Sequence, residues 1–231
     1  MEKFDLGLVL RQLPKAVTYL IIGFILGATV GYFLFSISRA SYEVILSSWF
    51  KRVMFGAKLL NNQYVLWFII NNFVALILAI AGGVLIITNI GRKRAGYSKR
   101  FQVFEKHHPK VTMFSLYMLP IGALLINSFL IAFFLMYVYL SRGYDQLIQS
   151  LSVLSLNGIT EMLALVLAAS LGLSYVKVLE PFIMKRKWKE SIGLGKKVVW
   201  SKTSFYVFVL IAILIVFSAY AEGIGVLLLK K

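Results

Sequence analysis

Two carboxylates, Glu161 and Glu222, lie inside long apolar stretches of the sequence, where side-chain chemistry is most constrained. An ionised carboxylate in lipid costs at least about 2.5–3.5 kcal/mol on insertion scales, so each acid should face protein or water. Amides fall in comparable stretches, at Asn71, Asn72, Asn127 and Asn157. Such groups can hydrogen-bond across helices and fix their register, or they can line a proton or cation site. The sequence leaves both interpretations open.

Glu161 belongs to a stripe of polar and small residues. The stripe consists of Asn157, Glu161, Ala164, Ala168 and Gly172. Residues three or four apart share a helix face, so this face is polar at one end, small at the other, and expected to point into a bundle. The helices that carry Glu161 and Glu222 should cross the membrane in opposite directions, which places both acids in its outer half. We therefore predict a polar cluster built from separate helices.

Other kinds of chemistry find little support in the sequence. The chain has no Cys, so thiolate catalysis and Cys-based metal sites are excluded. His107 and His108 are adjacent and point in different directions on a helix, with no third ligand nearby. Phosphate-binding glycine loops, nucleophile elbows and zinc-protease motifs are absent from the sequence. We predict no enzyme activity, no metal and no cofactor.

The elements that must position these residues are membrane-spanning helices. Of the 231 residues, 60% are hydrophobic and only 15% are charged, whereas soluble domains are about 25% charged. A helix needs about 20 apolar residues to cross the hydrocarbon core. Five stretches satisfy this, near 16–37, 64–90, 111–140, 158–179 and 203–229. The predicted fold class is all-α, a polytopic bundle of five transmembrane helices forming a single integral membrane domain.

The basic residues give an orientation. Eighteen of the 25 Lys and Arg residues lie before the first span, in the loop 91–110, or in the segment formed by Lys177 and the loop 180–202. This bias places those segments and the N-terminus in the cytoplasm, with the C-terminus outside the cell membrane. The loops 91–110 and 180–202 are expected to meet anionic lipid head groups or a protein partner. We predict no nucleic-acid binding, since nothing beyond one short basic run suggests it.

Two further segments do not have the pattern of a simple membrane span. Residues 41–62 have charged residues around much of the helical wheel and apolar residues at helical spacing, which predicts an outer amphipathic helix. The apolar face consists of Tyr42, Ile45, Leu46, Trp49, Val53, Ala57 and Leu60. This helix could lie in the lipid interface or pack across the outer ends of the spans. The fourth apolar stretch in full runs over residues 147–179, which are 33 residues or about 50 Å of helix and exceed the membrane, so only its second part, 158–179, is predicted to span. We predict a break at Asn157-Gly158, because both residues tolerate left-handed backbone.

The first span carries glycines at four-residue spacing, Gly23, Gly27 and Gly31. Four-residue spacing places all three on one face, where another helix can approach closely. The face could form a homo-oligomer, or it could pack against another span of the same chain. The small residues Ala164, Ala168 and Gly172 predict a similar packing face on the fourth span.

Several polar positions together resemble one family. The run WFIINN at residues 67–72, NGITE at 157–161 with the following small residues, and AYAE at 219–222 are similar to signatures of the stage II sporulation protein M family. In this chain Asn157 replaces the expected His, and Asn127-Ser128 replaces an expected Asn-Gly. The resemblance covers about residues 60–230. It implies a five-helix integral membrane protein that acts as an anchor or scaffold with partner proteins.

Two functional classes follow from these observations. The first is a non-enzymatic multi-pass scaffold that recruits partners through its basic loops or its outer amphipathic helix. The alternative is a small transporter or ion pathway, in which Glu161 couples to proton or cation movement and Glu222 and the amides line a polar cavity.

Overall fold

The computed structural model describes residues 4–59 and 108–229, together with Val74, Leu76, Ile77 and Ile80. The side chains of residues 49–50, 52–59, 153–157 and 221–229 lie outside this description. Within the described residues the chain is helical and contains no strand. The backbone of six helices is described: α1 Leu6–Ile37, α2 Arg39–Leu59, α3 Pro109–Arg142, α4 Tyr144–Met184, α5 Trp188–Val199 and α6 Lys202–Leu229.

Four segments of these helices are long and apolar enough to cross a membrane, namely Leu6–Ile37, Pro109–Arg142, Gly158–Met184 and Lys202–Tyr220. The segment of α4 differs from the others, since 78% of its apolar window is buried, against 17% for α1. The predicted span 64–90 lies outside the described residues except for four positions, all of them helical. The structure thus contains four candidate spans among its described residues.

The predicted break at Asn157-Gly158 is wrong, because α4 continues without interruption from Tyr144 to Met184. A glycine inside a helix costs only about 1 kcal/mol relative to alanine. A break would leave backbone N–H and C=O groups unpaired, which costs several kcal/mol each where no water reaches them. The intact helix is the less costly solution, and the Asn-Gly pair is accommodated inside it.

The chain divides into two compact units. Unit 1 comprises residues 1–17, 75–123 and 165–211, and unit 2 comprises residues 18–74, 124–164 and 212–231. Unit 1 has an aliphatic core in which Met113 and Leu116 of α3 meet Val176, Leu179 and Ile183 of α4. The apolar face of α5 covers this core through Trp188, Ile192 and Leu194.

Unit 2 is held together by close backbone approach. A Cβ atom at Gly23 would collide with Ser128 and the backbone of Leu125 on α3, and one at Gly27 would collide with the backbone oxygen of Phe129. One turn further along, a Cβ at Gly31 would lie 2.6 Å from the Tyr42 hydroxyl. The glycine face of α1 therefore contacts α3 and α2 of the same chain, which is the intramolecular alternative of the two that the spacing allowed.

Aromatic rings fill the rest of the unit 2 core. Tyr42 of α2 is fully buried, its ring stands 4.2 Å from that of Phe133, and its hydroxyl donates a hydrogen bond to the Phe133 carbonyl. Leu46, one turn later, is also buried in this cluster. The N-terminal part of α2 is thus packed on α1 and α3. Of the two arrangements expected for the amphipathic helix, this part agrees with packing against the spans. Ile45, predicted on its apolar face, is half exposed.

Candidate functional site

Glu161 lies on α4, three residues into the segment that begins at Gly158, and its side chain is partly buried. The small residues of its predicted stripe are buried, with Ala164 and Ala168 fully inaccessible and Gly172 also buried. The stripe therefore runs from a partly buried acid into a tightly packed helix face. Within the described residues, no hydrogen bond or ion pair to the Glu161 carboxyl is present.

The remaining members of the predicted polar cluster can be placed only in part. Asn71 and Asn72 lie outside the described residues, and so do the side chains of Asn157 and Glu222. The backbone of Glu222 belongs to α6, and Asn127 is partly buried on α3. The convergence of Glu161 and Glu222 therefore stays a prediction. Across the part of the chain that is described, no three His, Asp or Glu side chains form a group that could hold a metal ion.

The segment 180–202, predicted as a basic loop, contains the amphipathic helix α5. Ser191, Gly195 and Val198 are buried at positions i, i+4 and i+7, so they define the inward face. The lysines at 189, 196 and 197 are exposed on the remaining surface. The helix thus has one face against the aliphatic core of unit 1 and one basic face outside it.

A chain of buried hydroxyl groups fixes the end of α5. The Tyr175 hydroxyl donates to Ser204 Oγ at 2.9 Å, and Ser204 Oγ donates to the Val198 carbonyl at 2.5 Å. The Ser204 N–H also donates to Ser201 Oγ at 3.2 Å. Buried hydroxyls need such partners, since an unpaired one costs about 1–3 kcal/mol. The network ties α4, the last turn of α5 and the first turn of α6 together.

Elsewhere in unit 1, Glu180 joins two helices. Its Oε2 accepts a hydrogen bond from Lys177 Nζ at 2.9 Å and from the Tyr117 hydroxyl of α3 at 3.2 Å. By contrast, Trp188 Nε1 and Ser191 Oγ on α5 are buried and have no hydrogen-bond partner among the described residues. Both belong to the part of α5 that packs inward, so the helix is held there mainly by apolar contact.

A second polar arrangement lies at the start of α2 in unit 2. Glu43 Oε1 accepts hydrogen bonds from Arg39 Nε at 2.9 Å and from the Tyr137 hydroxyl at 3.2 Å. The Arg39 guanidinium and the Tyr137 hydroxyl lower the pKa of the Glu43 carboxyl. Burial raises the pKa of Tyr42 to about 12, so that hydroxyl stays neutral and donates. These contacts fix the orientation of α2 on unit 2.

Sequence reasoning missed the residues that do most of this positioning. The roles of Tyr175 and Ser204 are not predicted, because a tyrosine or serine in an apolar helix carries no local sign of its partner. Tyr42 lies on the predicted apolar face of the amphipathic helix, but the sequence does not indicate that its hydroxyl bonds a carbonyl of α3. The helix α5 did leave a sign in the sequence. Its buried positions recur at helical spacing between basic residues, a pattern that the basic composition of the segment obscured.

Comparison with known protein families, curated proteins and solved structures gives no match to this chain. The resemblance to the stage II sporulation protein M family therefore remains a prediction from its sequence signatures.

Proposed function

We propose that this chain is a non-enzymatic multi-pass membrane scaffold that anchors partner proteins. The four candidate spans support a membrane location. The proposal adds a fifth span near 64–90, a cytoplasmic N-terminus and an external C-terminus, as the bias of basic residues indicates. The resemblance to the stage II sporulation protein M family, whose members act as membrane anchors with partners, supports the same function.

The observation that carries the proposal is the rigid attachment of α2, a helix outside the candidate spans. Tyr42 and Leu46 bury one side of it, and the contacts of Glu43 fix its start. Beside the buried side, the first turns of α2 expose Val44 and Ile45, which are 63% and 50% accessible. Exposed serines at 41, 47 and 48 surround this pair. Apolar and hydroxyl side chains exposed on one fixed helix are the kinds of group that meet in protein interfaces.

Co-purification from the native membrane tests the scaffold. We expect a stoichiometric partner with the wild-type chain and its loss in the double variant Val44→Ser, Ile45→Ser, because that variant removes two exposed apolar side chains from the first turns of α2. Val111→Ser is the matched control, since Val111 is also an exposed β-branched residue but lies on α3 in unit 1. Absence of any stoichiometric partner from the wild-type preparation would contradict the proposal.

One observation favours a second candidate, a small transporter or ion pathway. Glu161 is a partly buried acid on the most buried of the candidate spans. Ionisable groups inside membrane helices commonly mark proton or ion pathways. In this alternative, Glu161 accepts and releases the coupled proton, and Glu222 with the amides would line the path.

The variant Glu161→Gln tests the alternative in proteoliposomes. Glutamine keeps the shape and hydrogen-bonding capacity of the side chain but removes its titration. A transporter should lose pH-dependent flux in this variant, whereas Ser152→Ala, an exposed change on the same helix, should leave flux unchanged. No flux through the wild-type chain, or equal flux through Glu161→Gln, rejects the ion pathway.

A further inference from the structure

The corner between α5 and α6 presents an unusually exposed indole. Trp200 is 87% accessible, the highest value for any large apolar side chain in the described part of the molecule. The corner lies directly before the apolar segment of α6, whose first turns expose Phe205 and Tyr206. The aromatic surface therefore begins at the corner and continues into the candidate span.

The backbone of this corner is fixed by hydrogen bonds. The Trp200 N–H donates to the Lys196 carbonyl at 3.1 Å, and the Ser201 N–H donates to the Val198 carbonyl at 3.2 Å. Ser204 is buried and bonds the same Val198 carbonyl, with the Tyr175 hydroxyl behind it. These buried hydrogen bonds fix the backbone at Trp200 while its side chain points outward. The exposure of Trp200 is therefore a consequence of how the corner folds.

The corner is also strongly basic. Lys196, Lys197 and Lys202 are exposed, and no acidic residue occurs between positions 191 and 221. The acid on α5, Glu190, bonds Lys187 at 3.2 Å, at the opposite end of the helix. Lys196 and Lys197 lie in the last turn of α5, where they also interact favourably with the negative end of the helix dipole. That role alone does not explain why an exposed indole lies beside them.

We infer that this corner is a docking site for the phosphate groups of anionic phospholipids, with Trp200 as its interfacial anchor. Indole rings prefer the head-group level of a bilayer, where the apolar ring and the N–H are both satisfied. Lysine ammonium groups beside it attract anionic lipid at the cytoplasmic leaflet. The inference rests on the proposed function only in requiring that the chain spans a membrane with this segment inside.

Quenching by brominated lipids tests the inference on the full-length chain. The protein is reconstituted in two sets of vesicles that contain the same mixture of phosphatidylcholine and phosphatidylglycerol. In one set the brominated acyl chains are on phosphatidylglycerol, and in the other an equal amount of brominated chains is on phosphatidylcholine. The chain has four Trp residues, so the quenching due to Trp200 is the difference between wild type and Trp200→Phe. We expect brominated phosphatidylglycerol to quench Trp200 about twofold more than brominated phosphatidylcholine does.

The double variant Lys196→Gln, Lys197→Gln should abolish this preference, and about 1 M salt should weaken it in the wild type. The matched control is Lys185→Gln, Lys189→Gln, which removes the same charge from exposed lysines before and at the start of α5 and should keep the preference. Equal quenching by both lipids, or a preference that survives loss of Lys196 and Lys197, overturns the inference. The inference is also overturned if an acidic protein binds the chain through Lys196 and Lys197 while Trp200 shows no preference for anionic lipid.

The lipid measurement needs no partner protein. Failure to co-purify a partner would therefore contradict the scaffold while leaving the corner's lipid preference measurable, so the two outcomes can be told apart.

Discussion

Unit 1 and unit 2 pack their helices by opposite means. In unit 2, glycines on α1 bring its backbone against that of α3, so the contact depends on side chains being absent. In unit 1, aliphatic side chains of α3 and α4 fill the space between helices, and α5 adds a further layer. Backbones in close contact cannot yield, whereas side chains can repack. The comparison predicts that atoms added to the glycine face destabilise unit 2. It predicts that side-chain atoms removed from the aliphatic core destabilise unit 1.

The largest effect is expected from a deletion in unit 1. Leu116 is fully buried in the aliphatic core, so Leu116→Ala should lower the free energy of unfolding by about 2–5 kcal/mol. Ile126→Ala on the same helix is the control, because Ile126 is 62% exposed and its loss should leave no cavity. Denaturant titration in detergent micelles measures both. Equal destabilisation by the two variants would show that unit 1 does not depend on its core.

The next effect is expected from an addition in unit 2. Gly27→Ala places a methyl group against the Phe129 backbone, and overpacking of this kind costs about 1–3 kcal/mol. Alanine gains up to about 1 kcal/mol in helix propensity, so the net effect should remain destabilising. Gly122→Ala on α3 has open space around its Cβ and should be neutral or stabilising. The comparison fails if both alanines stabilise the protein in the same titration.

A smaller effect tests the hydroxyl network of unit 1. Tyr175→Phe removes the hydrogen bond to Ser204 and should cost about 1 kcal/mol. Ser204 keeps its bond to the Val198 carbonyl, so the corner should loosen without unfolding. Hydrogen exchange of the Trp200 and Ser201 amides would report this, with Tyr206→Phe as an exposed control. Unchanged exchange in Tyr175→Phe would show that the network does not fix the corner.

The smallest effect concerns pH and unit 2. The Arg39 and Tyr137 contacts lower the pKa of Glu43 below its ordinary value of 4.5 in the folded state, so its stabilising contribution is present at neutral pH and is lost as the pH falls through the lowered pKa. Glu43→Gln should therefore flatten this part of the stability profile. The group is exposed, so the change should be small and sensitive to salt. An identical acid profile for wild type and variant would show that the Arg39 and Tyr137 contacts do not stabilise α2.

Hydropathy predicted the helical class and the four described spans because about 20 apolar residues leave few alternatives in lipid. The four-residue spacing of Gly23, Gly27 and Gly31 predicted the glycine face, but the partner of that face depends on which helices lie adjacent, which no local pattern indicates. The break at Asn157-Gly158 failed because turn propensities apply to backbone that water can solvate. The hydrogen bonds of Tyr42 and Ser204 could not be predicted for a related reason, since each hydroxyl donates to a carbonyl group on another helix.

The continuity of α4 has a mechanical consequence. Forty-one residues make a rod about 60 Å long, roughly twice the thickness of the hydrocarbon layer. Even a tilt of about 40° leaves its projection near 46 Å, so the rod must emerge from the apolar layer. The turns from Tyr144 to Gln149 are largely exposed and carry Asp145, which suits them to the aqueous end. These first turns of α4 are therefore the part of the helix that contacts water in a membrane-spanning arrangement.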